Sequence, residues 1–379
     1  MKILADENMP LLEELFGSRL EANDELNAVP GRHITPDLVA DCDVLLVRSV
    51  TQVNRELLAG SKVRFVGSAT SGIDHVDTTY LDAENITFAH APGCNANAVV
   101  QYMLAVFCSA APLWRQQTVG IIGCGQVGGR LYRCLRALGV QCRVYDPLLP
   151  TQNPDSVSFE QAVEADIICL HTPLTTTGSY PTHHMIDAEV LARLKPGALL
   201  INASRGAVVA NRALKDYLST GATLTAVLDV WEPEPDIDTS LMAQLALATP
   251  HIAGYSVDGR RNGSDVVYRA FCRWQAQGDA QALDEPLVSV ELRSKLEMPK
   301  GSLEDYILAT FDITAESRRM IAALTAEGVR GDAEVGRAFD LLRKTCPARR
   351  EFSHYRITGE VDKALTQELS ALGFKCFGF

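Results

Sequence analysis

The run Val119–Gly123 is apolar and leads into Gly123-Cys124-Gly125-Gln126-Val127-Gly128, where a helical pattern begins. No other feature constrains this chain as much. The first glycine makes a tight turn, the second lets backbone approach a pyrophosphate, and the third allows close helix–strand packing. The amides that open the helix, Gln126 and Val127 included, then face the anion. The next apolar run, Cys142–Tyr145, leads to Asp146, eighteen residues beyond Gly128, where a carboxylate can hold the ribose hydroxyls. The pattern predicts a dinucleotide site. A carboxylate there repels the extra phosphate of NADP, and no arginine follows in Pro147-Leu148-Leu149-Pro150, so NAD is the expected cofactor.

That strand–turn–helix belongs to a series of apolar runs: Val119–Gly123, Cys142–Tyr145, Ile167–His171, Leu199–Ala203 and Leu224–Val230. Ser158 with Gln161 three residues on predicts a capping box between the second and third. An earlier series has runs at Ile3–Ala5, Val44–Val47, Val63–Ser68 and Ile86–Ala89, with helical spacing at Leu11–Leu20 and Arg55–Ala59. Repeated strand–helix units imply parallel sheets covered on both faces. Two helices, Asn95–Ala110 and Val257–Gln277, read as the crossings of a hinge, with ligand expected in the cleft where strand ends face one another. The fold class expected is α/β: two Rossmann-like, doubly wound parallel-sheet domains with a hinge, plus a small C-terminal α+β domain. The boundaries expected are 1–92 for a substrate domain completed by about 254–285, 93–253 for the NAD domain, and 286–379 for the last. In that last part, after the breaks Glu285-Pro286 and Pro299-Lys300-Gly301, helices are expected at Leu303–Thr310, Ala315–Ala326 and Ala338–Lys344, and strands at Phe352–Thr358 and Phe374–Phe377.

A chain of 379 residues with formal net charge −12, its acidic residues spread along its length, argues against nucleic acid as the ligand. The ten cysteines form no Cys-x-x-Cys pair and no metal-ligand spacing, so no metal is expected and a reducing compartment is. No run is long enough to span a membrane, and Met1-Lys2-Ile3-Leu4-Ala5-Asp6-Glu7 brings charge too soon for a signal peptide. A soluble cytoplasmic protein is expected.

Three residues lie at or just past strand ends of the second series: Arg205 in Asn202-Ala203-Ser204-Arg205-Gly206, Glu234 in Trp231-Glu232-Pro233-Glu234-Pro235, and His251 in Thr249-Pro250-His251-Ile252. Singly, each is an ordinary loop residue. Together they supply what oxidation of a 2-hydroxyacid demands. Histidine titrates near neutrality and suits the base that takes the hydroxyl proton. A carboxylate on its other ring nitrogen fixes the tautomer and stabilises the imidazolium. A guanidinium orients the substrate carboxylate through two parallel hydrogen bonds.

These motifs, Gly-x-Gly-x-x-Gly, Asn-Ala-Ser-Arg-Gly, Leu-Asp-Val-Trp-Glu-x-Glu-Pro and Thr-Pro-His-Ile-Ala-Gly in that order, resemble the D-2-hydroxyacid dehydrogenase superfamily over about residues 1–280. The resemblance implies Arg205 for substrate orientation, Glu234 as histidine partner and His251 as acid/base. It also implies Thr172, Ala203, Ser204, Arg205, Asp229 and Gly254 beside the cofactor, with Asp229 at the carboxamide. Within the superfamily, the start Lys2-Ile3-Leu4-Ala5-Asp6-Glu7-Asn8, the segment Val47-Arg48-Ser49-Val50-Thr51, Tyr255 after the histidine motif, and the C-terminal Pro347-Ala348-Arg349-Arg350-Glu351-Phe352 look like the members that oxidise 4-phospho-D-erythronate in vitamin B6 biosynthesis. That likeness implies substrate contacts at Ser49, Thr70 and Tyr255, and a homodimer through the C-terminal domain.

A phosphate makes sense of the residues themselves. Arg48, Ser49 and Thr51 follow a strand of the first series and offer the donors an anion needs. Arg349-Arg350 reads as a surface charge pair, ahead of the alternative that it reaches a cleft of this subunit or its partner, His183-His184 as a loop feature, His75 as structural, and Trp231 as packing under the Glu234 loop. The alternatives are a dehydrogenase for 3-phosphoglycerate or another hydroxyacid, and an NAD-sensing corepressor-like binding protein.

Overall fold

A computed structural model describes residues 1–149, 153–276, 295–297, 301–329, 331–358 and 361–376. Its strands are β1 (Lys2–Asp6), β2 (Glu25–Val29), β3 (Val44–Val47), β4 (Phe65–Ser68), β5 (Thr87–His90), β6 (Val119–Ile122), β7 (Cys142–Tyr145), β8 (Ile167–Leu170), β9 (Leu199–Asn202), β10 (Thr225–Leu228), β11 (Leu247–Ala248), β12 (Lys295–Glu297), β13 (Arg356–Thr358) and β14 (Lys375–Cys376). They form a five-stranded sheet ordered β2-β1-β3-β4-β5, a six-stranded sheet ordered β11-β10-β9-β8-β6-β7, and a three-stranded sheet ordered β12-β13-β14. Every pairing is parallel. The architecture is α/β, with two Rossmann-like sheets and a small C-terminal α+β region.

The chain divides into two compact units, Met1–Asn95 with Ser256–Glu291, and Ala96–Tyr255 with Leu292–Phe379. In the first, neighbouring strand residues turn to opposite faces. Ile3, Ala5, Val44, Leu46 and Phe65 enter one core and Leu4, Leu45, Val47 and Val66 the other, as the two-residue period of a strand requires. The helix Val257–Gln275 covers the first face with Val267, Tyr268 and Phe271. It begins at Ser256, whose side chain accepts from the Gly259 amide at 2.8 Å.

In the second unit, Val119, Ile121, Cys169, Ile201 and Val227 face one core, while Ile122, Ile168, Leu170, Leu200 and Leu228 face another. The helix Ala96–Ala110 is buried nearly all round, so it is apolar on every side rather than in a stripe. It shares its core with Tyr306, Ile307, Phe352 and Phe374 of the C-terminal region. Burying each such side chain is worth about 1.5–3 kcal/mol.

Several details depart from the sequence reading. The helix expected over Leu11–Leu20 is a short turn at Leu12–Leu15 and a 3-10 turn at Gly17–Arg19. The strand expected over Phe352–Thr358 opens instead as a 3-10 turn, Phe352–His354, and only Arg356–Thr358 pairs. The C-terminal helices run Ile313–Leu324 and Asp332–Lys344, and a further one, Lys363–Leu372, was not expected. Gln277, Glu285-Pro286, the boundary at residue 286, Pro299-Lys300 and Phe377 lie outside the described residues. Among the described residues, no helix is long and apolar enough to cross a membrane.

Candidate active site

The order of the six-stranded sheet reverses at β6, which has β7 on one side and β8 on the other. In open parallel sheets, ligands bind at such a switch point, outside the carboxyl ends of the strands. The glycine loop leaves β6 at that place. Gly123 has φ 86°, and a Cβ there would meet the His171 backbone at 2.8 Å. A Cβ on Gly128 would lie 1.9 Å from the Gly123 carbonyl oxygen, whereas one on Gly125 would meet nothing within 4 Å. Two glycines are therefore demanded by the protein's own packing, and the middle one leaves open space.

The helix Gly128–Ala137 starts without a side-chain cap, its Gly129 amide donating to the Gly125 carbonyl at 2.9 Å, and the positive end of the helix faces the turn where an anion would sit. Asp146, just past β7, accepts from the Cys124 amide at 2.8 Å and from the Leu148 amide at 3.0 Å, which sets its carboxylate at the mouth of the loop. Beyond β8, His171 Nε2 and Thr172 Oγ1 are buried with no hydrogen-bond partner among the described residues. Burial pushes His171 down to a pKa of about 4, so it is neutral. An open glycine turn, an uncapped helix start and two orphaned polar atoms beside it fit a dinucleotide.

Past β9, the Asn202 side chain shapes the next turn. Its Oδ1 accepts from the Ser204 amide and hydroxyl at 3.1 and 2.9 Å, and its Nδ2 donates to the Arg205 carbonyl at 2.8 Å. Arg205 Nη1 donates to the Ser204 carbonyl at 2.8 Å. Past β10, Asp229 is buried and takes three donors from the histidine segment. Its Oδ1 accepts from Thr249 Oγ1 at 2.7 Å and the Ile252 amide at 2.8 Å, and its Oδ2 from the Ala253 amide at 2.9 Å. The His251 amide bonds the Asp229 carbonyl at 2.7 Å. His251 itself stands at φ 56°, in the left-handed region that non-glycine residues rarely occupy.

Glu234 Oε2 lies 2.8 Å from His251 Nδ1, and Glu234 Oε1 accepts from the Trp231 amide at 2.9 Å. Burial works to raise the Glu234 carboxyl. The neighbouring His251, the Trp231 amide and Arg343 outweigh it and hold the group below its ordinary value. Trp231 is buried beneath, its Nε1 donating to the Thr249 carbonyl at 3.0 Å. His183 and His184 stack at 3.8 Å, and His184 Nε2 lies 2.7 Å from Glu232 Oε1.

The first unit places Arg48 and Ser49 just past β3, and Thr70 two residues past the adjacent β4. Ser49 is exposed and Arg48 partly so. Thr51 departs from expectation: it is buried, and its hydroxyl is spent on the Gly31 carbonyl at 2.9 Å. Thr70 Oγ1 donates to the Gly72 carbonyl at 2.8 Å and lies 2.7 Å from Ser68 Oγ, which in turn meets His75 Nε2 at 3.0 Å. Ser68 escaped the sequence reading, since a serine closing an apolar strand carries no signal of its own. Arg349 is a correction of another kind. Expected as half of a surface pair, it is only 6% exposed.

Residues 109–253 match the model of the D-isomer specific 2-hydroxyacid dehydrogenase NAD binding domain, and residues 284–373 match a domain of unknown function. Erythronate-4-phosphate dehydrogenase of Cellvibrio japonicus (strain Ueda107) is 46% identical over 382 residues, 99% of this chain and 100% of the relative. The Pseudomonas aeruginosa (strain PAO1) protein of that name is 42% identical, with 98% and 99% covered. Among solved structures, D-lactate dehydrogenase from Aquifex aeolicus, complexed with NAD and lactic acid, superposes with a TM-score of 0.63 at 20% identity, over 73% of this chain and 96% of that one. NAD-bound 3-phosphoglycerate dehydrogenase from Entamoeba histolytica gives 0.63 at 22%, over 76% and 99%. At such identities the likeness is one of fold.

Proposed function

This chain belongs to the family of erythronate-4-phosphate dehydrogenases, within the D-isomer specific 2-hydroxyacid dehydrogenases, and from that premise we propose the following reaction. The protein oxidises 4-phospho-D-erythronate at its C2 hydroxyl to 3-hydroxy-2-oxo-4-phosphobutanoate, with NAD as acceptor, as a step of pyridoxal phosphate biosynthesis. The observation that carries this reading is the 2.8 Å pairing of His251 with Glu234 on the sheet that bears the glycine loop.

Bound NAD supplies the hydride acceptor, held by Gly123, Gly125, Gln126, Val127, Gly128, Asp146, Thr172, Ala203, Ser204, Arg205, Asp229 and Gly254. With Nδ1 committed to Glu234, His251 takes the hydroxyl proton at Nε2. Glu234 fixes the tautomer and stabilises the imidazolium as the proton arrives. Arg205 holds the substrate carboxylate and polarises the carbonyl as it forms. Arg48, Ser49, Thr70 and Tyr255 bind the rest of the substrate, with Arg48 assigned to the phosphate.

Residues 93–253 are the cofactor domain in this reading, 1–92 completed by about 254–285 the substrate domain, and 286–379 the region of a homodimer contact. Ten free cysteines support a reducing, cytoplasmic setting. The test follows NADH absorbance with 4-phospho-D-erythronate, 3-phospho-D-glycerate and D-lactate, with 2-oxo acids added as electron acceptors in parallel. Preference for phosphoerythronate supports the reading. Preference for another acid keeps the mechanism and discards the substrate. Silence on all three favours a nucleotide-sensing protein.

A further inference from the structure

Arg349 sits in the C-terminal region, ninety-eight residues beyond His251, yet its guanidinium is built into the segment that follows that histidine. Nε donates to the Tyr255 carbonyl at 2.9 Å, and Nη2 donates to the carbonyls of Ile252, at 3.2 Å, and Ala253. Its face lies over the Phe311 ring, 4.2 Å from the centroid. Burial lowers its pKa to about 10, so the group is still a cation at neutral pH.

The same few peptide groups are held from the other side by Asp229, which takes the amides of Ile252 and Ala253. A carboxylate gathers the N–H groups and a guanidinium gathers the C=O groups. Between them they set the path of the chain from His251 through Gly254 to Tyr255. The carbonyls are taken by two different nitrogens of one rigid plane, Nε and Nη2, an arrangement that the single nitrogen of a lysine ammonium does not reproduce.

We propose that Arg349 is a positioning residue for the oxidation, and that one task of the C-terminal region is to lock the His251–Tyr255 segment in its reactive conformation. This rests on the assignment of His251 and Tyr255 made above. It goes beyond it by giving a role in the oxidation to residues 284–373, which match the model of a domain of unknown function.

The test compares full-length wild type with Arg349→Met, Arg349→Lys and a control, Phe374→Leu. Phe374 is buried in the same region and stacks on Phe352 at 4.6 Å, with no hydrogen bond to the histidine segment. In both Arg349 variants kcat falls at least about tenfold and KM for phosphoerythronate rises, while the Kd for NADH, to which the segment contributes Gly254 alone, weakens by a smaller factor. Amide exchange at Ile252, Ala253 and Gly254 accelerates about tenfold or more in Arg349→Met. Phe374→Leu lowers Tm but keeps kcat and the exchange of that segment. Two results overturn the proposal: wild-type kcat in Arg349→Met, or losses of activity in both Met and Leu variants that simply follow Tm. If wild type does not turn over phosphoerythronate, the substrate reading fails alone. The exchange comparison then decides the clamp: acceleration confined to the Arg349 variants upholds it, and unchanged exchange rejects it.

Discussion

Glu234 holds Nδ1 of His251 through one carboxylate oxygen, and through the other it is anchored to the Trp231 amide, at 2.8 and 2.9 Å. The histidine is thereby oriented by a group that is itself oriented. Glu234→Gln preserves shape but removes the charge that stabilises an imidazolium. It is expected to lower kcat by about 10²–10⁴-fold, the range for positioned acid–base groups, with NADH affinity nearly unchanged. Steady-state kinetics and a fluorescence titration of NADH check both halves.

The three glycines of the loop are not equivalent. Gly128→Ala forces a Cβ to within 1.9 Å of the Gly123 oxygen, so it destabilises the fold by about 1–3 kcal/mol, the usual cost of overpacking. Gly125→Ala meets nothing within 4 Å in the protein and folds normally, while the added methyl crowds the pyrophosphate. Thermal melts and NAD affinities measured side by side separate the two effects.

His171 has a folded pKa near 4 against an ordinary value of 6.5. Its folded value is depressed, so the unfolded chain binds the proton first as pH falls. The stability it contributes is complete above pH 6.5 and is lost progressively down to about 4, at up to about 1.4 kcal/mol per pH unit. In denaturant titrations across that window, His171→Asn is expected to flatten the decline.

Arg48, just past β3, is assigned to the phosphate. Arg48→Glu is expected to raise KM for 4-phospho-D-erythronate by about 10–100-fold, as the loss of a charge-assisted bond implies. Turnover of unphosphorylated erythronate is left unchanged. An unaltered KM removes Arg48 from the substrate site.

What the sequence made legible depended on how local the cause was. Strands such as Val44–Val47 and Ile167–Leu170 are apolar throughout because helices cover both faces of the sheet. The glycine loop and the Arg205, Glu234 and His251 motifs lie in short contiguous stretches. The edge strand Glu25–Val29 was missed because it is half exposed, so Glu25 and Asn27 break any apolar run. The two-residue strand Leu247–Ala248 is too short to show a period. The hydroxyl chain from His75 through Ser68 to Thr70 depends on where a loop folds back, and the burial of Arg349 on partners nearly a hundred residues away. Neither leaves a pattern in the residues beside it.

The central claim is that a hydride leaves C2 of phosphoerythronate for NAD. The most direct measurement offers 4-phospho-D-erythronate deuterated at C2 and examines the reduced cofactor by mass spectrometry alongside the 2-oxo acid. The account predicts one deuterium in each reduced cofactor for each 2-oxo acid formed. Deuterium released to solvent, or a deuterated substrate recovered unchanged with the cofactor still oxidised, contradicts it.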